Sequence, residues 1–93
     1  MLIDAEEQVT LKIPTEILAP KNGSVQEVIL KPLSVYTFQL IMKAAKDDAS
    51  LIPLLIVKES VVTPSLELKD IRGMKVGLVN FLIKEIKRIS GIS

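Results

Sequence analysis

This chain carries more apolar side chains than a single small core of its own can readily bury. Of its 93 residues, 48% are hydrophobic, and the mean hydropathy is +0.41. A domain of this length buries roughly two-thirds of the surface that its unfolded chain exposes. Ordering the chain costs on the order of 140 kcal/mol, at about 1.5 kcal/mol per residue, so most apolar side chains must be buried somewhere. We expect one small domain over residues 1–93, with surplus apolar surface that meets another protein or a second copy.

The same chain is poor in groups that carry chemistry. It has no Cys and no His, and its aromatic residues are Tyr36, Phe38 and Phe81. Catalysis near neutral pH usually relies on His, on Cys, or on a Ser or carboxylate tuned by a partner. The paired acids Glu6-Glu7 and Asp47-Asp48 have nothing beside them that would complete a site. We therefore predict no enzyme, no catalytic residue, no metal site and no cofactor, and a protein that binds another protein.

Membranes and nucleic acids are not favoured as partners. The longest nearly continuous apolar run is Leu51–Val57, against the roughly 20 residues that a membrane-spanning helix needs. The acidic N-terminus does not read as a signal peptide, so a cytoplasmic protein is expected. Lys84, Lys87 and Arg88 form a small basic cluster, but the net charge is only +1 and aromatic residues are few. Nucleic-acid modules are usually more basic, so nucleic acid is an unlikely partner.

The first third of the chain predicts a β-hairpin. Apolar residues alternate in Gln8–Ile13, which is the period of a half-buried strand. The segment Pro20–Ser24 contains Asn-Gly and is typical of a turn, and Val25–Lys31 predicts the return strand with Val28 and Leu30 on one face. A two-stranded hairpin is marginal by itself in water. It should therefore lie on the helices or pair with another chain.

The remaining two-thirds of the chain predicts helices. Ser34 is the expected N-cap of a helix that ends near Lys46 or Asp47. Ser50 is the expected cap of a second helix, with Pro53 in the first turn, where its missing N–H leaves no bond unmade. This second helix is apolar on all sides, so we expect it at the centre of the fold.

The last helix is the expected binding surface. A helical turn over Glu67–Arg72, ended by Gly73 in the left-handed conformation, should precede it. The helix itself should run from about Met74 to Ile89 or Ser90 and end at Gly91. Its apolar residues cover more than one face, and either one core uses them all or one flank meets a partner. The residues predicted to bind the partner are Val76, Leu78, Phe81, Leu82, Ile86 and Ile89.

These elements define an α+β fold, with an N-terminal β-hairpin followed by three main α-helices plus a short helical turn. Residues 8–31 are expected to form the hairpin and residues 34–90 the helical part. Residues 1–7 are expected to be a flexible tail.

A loose sequence pattern follows the order of these elements. The strand Val9-Thr10-Leu11 precedes a proline and an Asn-Gly turn, and Val28-Ile29-Leu30-Lys31-Pro32-Leu33-Ser34 leads into a helix. Further helices are separated by Val62-Thr63-Pro64-Ser65-Leu66 and Leu68-Lys69-Asp70-Ile71. Over residues 8–90 this resembles the small tail assembly chaperones of tailed phages, particularly those of Mu-like phages and prophages.

The resemblance implies a non-enzymatic factor rather than a catalyst. Such proteins bind the long, helical, aggregation-prone tape measure protein before the tail tube polymerises around it, in the cytoplasm of the host cell. Two alternatives stay open. The chain could be a structural virion component that oligomerises through the hairpin edge or the last helix, or a small nucleic-acid-binding regulator.

Overall fold

The structure, a computed structural model, describes residues 7–13 and 26–92, and of Gln26 only the backbone. These residues form a three-stranded antiparallel sheet and four helices, which confirms the predicted α+β fold with its N-terminal hairpin. The predicted turn at 20–24 and all but the last residue of the predicted tail lie outside the described residues. The elements are β1 Val9–Ile13, β2 Gln26–Leu30, α1 Val35–Ala44, α2 Leu51–Ser60, β3 Val61–Thr63, α3 Leu68–Arg72 and α4 Val76–Ser90.

The hairpin strands pair as their alternation predicts. Val9 lies opposite Leu30, and Leu11 lies opposite Val28. Because alternate residues of a strand share a face, these pairs lie on one side of the sheet, where Val28 and Leu30 are buried. The other side is exposed at Thr10, Lys12 and Glu27.

The third strand was not predicted. β3 follows α2 without a linker and pairs with β2, with Val61 opposite Leu30 and an irregular register beside that pair. The strand is only three residues long, and a period of two cannot be recognised in so short a segment. The hairpin therefore gains a third strand from its own chain.

Ser60 joins the end of α2 to the end of β2. Its side chain is completely buried, and its hydroxyl donates a hydrogen bond of 2.7 Å to the carbonyl oxygen of Lys31. The backbone N–H of Lys31 donates in return to the Ser60 carbonyl at 2.9 Å. A hydroxyl is tolerated at this buried position because it donates its proton to a backbone carbonyl.

Replacing Ser60 by Ala should lower the free energy of unfolding by about 0.5–1.5 kcal/mol, because the hydrogen bond from the buried hydroxyl to the Lys31 carbonyl is lost. Urea denaturation followed by circular dichroism measures the change. Ser65→Ala, at an exposed position, is the matched control and should leave the midpoint in place. Equal midpoints for both variants would show that the hydroxyl adds nothing.

The predicted start of α1 is confirmed. The Ser34 hydroxyl accepts a hydrogen bond of 3.1 Å from the backbone N–H of Thr37, which satisfies one of the free donors of the first turn. The helix ends at Ala44, two residues before the earliest predicted end, and Asp47 lies in the turn that follows.

The start of α2 agrees in position with the prediction but not in its cap. Ser50 directly precedes the helix, yet its hydroxyl donates to Oδ1 of Asp48 at 2.6 Å and makes no capping bond. The prediction that the Ser50 side chain caps α2 is therefore wrong, because the backbone of Ser50 is already helical (φ −67°, ψ −14°), whereas a capping residue is usually extended. Pro53 occupies the third position of the helix, as predicted.

Helix α2 is the centre of the helical part, as predicted. It packs against α1, α3, α4 and β3, and it buries Ile56, Val57 and Ser60. The apolar core joins it to the inner face of the sheet and to the other helices. That core consists of Ile13, Val28, Leu30, Leu33, Ile41, Ile56, Val57, Val61, Ile71, Leu82 and Ile86.

The two predicted glycine terminators behave differently. Gly73 ends α3 with φ −83°, so the prediction of a left-handed residue there is wrong. Its N–H bonds back to the Lys69 carbonyl and the chain continues in a right-handed turn. Gly91 has φ +76° and ends α4, as predicted, in the conformation that glycine adopts without steric cost.

Candidate partner-binding groove

The core occupies the middle of the predicted binding surface on α4. Leu82 is 1% exposed and Ile86 is 0% exposed, so both side chains belong to the interior. This corrects their assignment to a partner-binding surface. The physical reason is that the apolar stripe of α4 is centred on these residues, and the centre of a stripe packs against the core first.

The other predicted residues fall into two groups. Leu78, Phe81 and Ile89 are partly buried and pack against the core. Val76, in the first turn of α4, is 74% exposed. The core therefore uses part of both flanks of α4, and of the predicted set Val76 is the residue that remains most open.

Further apolar surface lies on α1, where the sequence pattern did not place a site. Val35, Tyr36, Leu40 and Met42 are 76%, 68%, 47% and 43% exposed. A signal for this was present, because apolar residues surround α1 on nearly all sides and one small core cannot cover every side of a helix.

Side chains from α1, α2 and α4 line an open groove. Both α1 and α4 pack on α2, and the space between them has a volume of about 400 Å³. We call it the α1–α4 groove. Its apolar lining is Phe38, Met42, Ile52, Pro53, Ile56, Ile83 and Ile92, and its polar lining is Asn80 and Lys87.

A second depression extends this groove toward the start of α4. Its volume is about 420 Å³, and it shares Pro53 and Asn80 with the α1–α4 groove. Leu54, Met74, Val76 and Val79 supply most of its apolar lining. The two depressions together form an apolar surface that follows α4 from Val76 to Lys87.

The charged side chains that line this surface are both positive. Arg72 lines the extension and Lys87 lines the groove, and neither depression has an acidic residue in its lining. Hydrogen bonds from the side chain and the backbone N–H of Ser50 lower the pKa of Asp48, and the charge of Arg72 lowers it further. In the described part of the chain, the ion pair on α4 joins Arg88 to Glu85 at 2.7 Å and leaves Lys87 out.

Ser50→Ala should raise the pKa of Asp48 toward its ordinary value, because the strongest hydrogen bond to the carboxylate is lost while the backbone bond remains. A carbon-detected NMR titration of Asp48 measures this. Since the folded-state pKa is the lower one, the contribution of Asp48 to stability is present above the unfolded-state pKa and is lost as the pH falls through the folded value. Ser65→Ala is the control, and an unchanged Asp48 titration in Ser50→Ala would contradict the assignment.

Truncation distinguishes the buried and open residues of α4. Ile86→Ala should lower the free energy of unfolding by about 2–5 kcal/mol, the usual cost of a cavity in a core. Val76→Ala should change it by less than about 0.5 kcal/mol, because that side chain is mostly in solvent. Guanidinium denaturation measures both. A small loss of stability in Ile86→Ala would contradict the assignment of Ile86 to the core and would favour its assignment to the partner-binding surface.

Metal ligands, unpaired buried polar atoms and membrane-spanning helices would be signs of other kinds of site. Across 7–13 and 26–92, no three acidic, His or Cys side chains come together as metal ligands would, and each buried side-chain polar atom has a hydrogen-bond partner. Over the same residues, no helix has the length and apolar character to span a bilayer.

Comparison of the chain with known protein families, with curated proteins and with solved structures found no match. The α1–α4 groove and the sequence pattern therefore carry the functional inference.

Proposed function

We propose that this protein is a non-enzymatic assembly chaperone of the phage tail type, which binds helical segments of a tape measure protein. The observation that supports this most directly is the open apolar surface formed by the α1–α4 groove and its extension. A protein that shields apolar helices needs such a surface and needs no catalytic group. On this proposal the protein acts in the cytoplasm of the host cell.

The lining of the groove suits a helix better than an extended strand. A strand is usually bound by main-chain hydrogen bonds to a sheet edge, whereas an amphipathic helix lays apolar residues into a groove between helices. Here the floor is Ile52, Pro53 and Ile56, and Asn80 is the one uncharged polar residue of the lining. The groove therefore offers apolar contact and few hydrogen-bond partners.

Methionine lies in both depressions. Met42 lines the α1–α4 groove and Met74 lines its extension. The unbranched thioether side chain adapts to different neighbours and is common at surfaces that bind several sequences. A long helical partner offers more than one segment that could dock, so an adaptable lining fits that role.

The proposal is tested by co-expression with a tape measure protein from the same genome. The expected result is that the partner becomes soluble and co-purifies. Met42→Asp should reduce co-purification by about tenfold or more, because a charge enters the apolar lining. Leu40→Asp is the matched control, since Leu40 lies on the same helix, is 47% exposed where Met42 is 43% exposed, and does not line the groove. Unchanged solubility of the partner would refute the proposal.

A second apolar surface favours a different function. Leu40 lines a smaller pocket of about 220 Å³ with Leu55 and Glu59, and Tyr36 is exposed one helical turn before Leu40. This surface would suit a structural virion component that oligomerises through α1. Such a component should be present at fixed stoichiometry in purified particles, whereas an assembly chaperone should be absent from them.

A further inference from the structure

We propose that the α1–α4 groove selects an amphipathic helix whose apolar stripe is flanked by acidic side chains, one of which meets Lys87. This inference rests on the proposed function. It adds the charge pattern by which the groove would distinguish one apolar helix of the partner from another. It follows from the position of the charges, the length of the surface and the composition of the chain's own helices.

The charges at the groove are of one sign. Lys87 lies in the lining next to Ile83 and Ile92, and α1, which forms the facing wall, contains no acidic residue. A docked helix with lysines on its flanks would meet repulsion here, whereas one with Glu or Asp would meet attraction.

The acidic contact is expected at Lys87 rather than at Arg72. Lys87 lines the α1–α4 groove itself, whereas Arg72, on α3, lines only its extension. Lys87 is exposed and is left out of the Arg88–Glu85 ion pair. Among the described residues, the positive charge in the lining of the α1–α4 groove therefore lies at the end where α4 terminates.

The length of the surface sets the length of the docked segment. From Val76 to Lys87 the apolar surface follows about three turns of α4, or roughly 17 Å at 1.5 Å per residue. A helix of about 12 residues covers that distance. Its apolar contacts then fall at positions i, i+3 or i+4, i+7 and i+11, with the acidic residues beside them.

A second copy of this chain does not offer such a helix in its described residues. Helix α1 has no acidic residue, α2 has Glu59 beside Lys58, and α4 has Glu85, which pairs with Arg88. Helix α3 is only five residues long. The groove thus complements a different protein better than it complements itself.

Three synthetic helical peptides test the inference. Each has about 14 residues, a Leu stripe at three- and four-residue steps, and a hydrocarbon staple that equalises helicity, and they differ only in Glu, Gln or Lys on the flanks. At moderate salt, fluorescence anisotropy should give the tightest binding for the Glu peptide, by about threefold or more over the Lys peptide. Methyl NMR should place the largest shifts at Ile52 and Ile83 rather than at Leu40.

Lys87→Glu should abolish or invert this order of affinities. Lys84→Glu is the matched control, because Lys84 is also exposed on α4 but does not line the groove. Its charge acts from farther away and is screened over about 8 Å at physiological salt. Unfolding midpoints of both variants check that the fold is retained.

Several outcomes would overturn the inference. These are equal affinity for all three peptides, no binding of any of them, largest shifts at Leu40, or self-association of the protein with shifts at Ile52 and Ile83. The proposed function fails separately. If the tape measure partner is solubilised while the peptides show no charge preference, the inference is wrong and the chaperone proposal stands. If the Glu peptide binds as expected while the partner stays insoluble, the groove chemistry stands and the chaperone proposal is wrong.

Discussion

The packing of α2 positions the described helices and the sheet relative to one another. Helices α1, α3 and α4 all contact it, and β3 begins at the residue after its end. The last residue of α2, Ser60, exchanges two hydrogen bonds with Lys31, at 2.7 and 2.9 Å, and so fixes the helix to the chain that leaves β2. The walls of the α1–α4 groove have a defined separation because both of them rest on this helix.

The groove arises from a difference between the two halves of α2. In the second half, Ile56, Val57 and Ser60 are buried by the sheet and the other helices. In the first half, Ile52 and Pro53 are only partly covered, since α1 and α4 contact α2 without closing over it. An apolar helix needs neighbours on every side, and the described part of this chain does not supply one here. A partner helix would complete that packing.

Local signals in the sequence predicted the helices and strands, whereas tertiary packing determines which apolar residues remain exposed. The hairpin, the Ser34 cap, Pro53 in the first turn and Gly91 at the end of α4 follow from residue period and backbone preference, and they are confirmed. The strand β3 was missed because it is too short to show a period. The groove could not be predicted from the sequence, because α1 and α4 both carry apolar residues on more than one face. Their burial depends on which side of α2 each helix takes.

The division between apolar lining and a single charged residue suits a binding protein that must later release its partner. An exposed ion pair contributes only about 0.2–1 kcal/mol, so Lys87 cannot hold a helix by itself. Apolar contact with side chains such as Met42 and Ile83 supplies most of the affinity and discriminates little among apolar helices. The charge of Lys87 would therefore contribute mainly to selectivity, by disfavouring helices flanked by lysine. On the proposed function, a modest electrostatic preference on an adaptable apolar surface would select among segments of one long partner and leave each of them exchangeable.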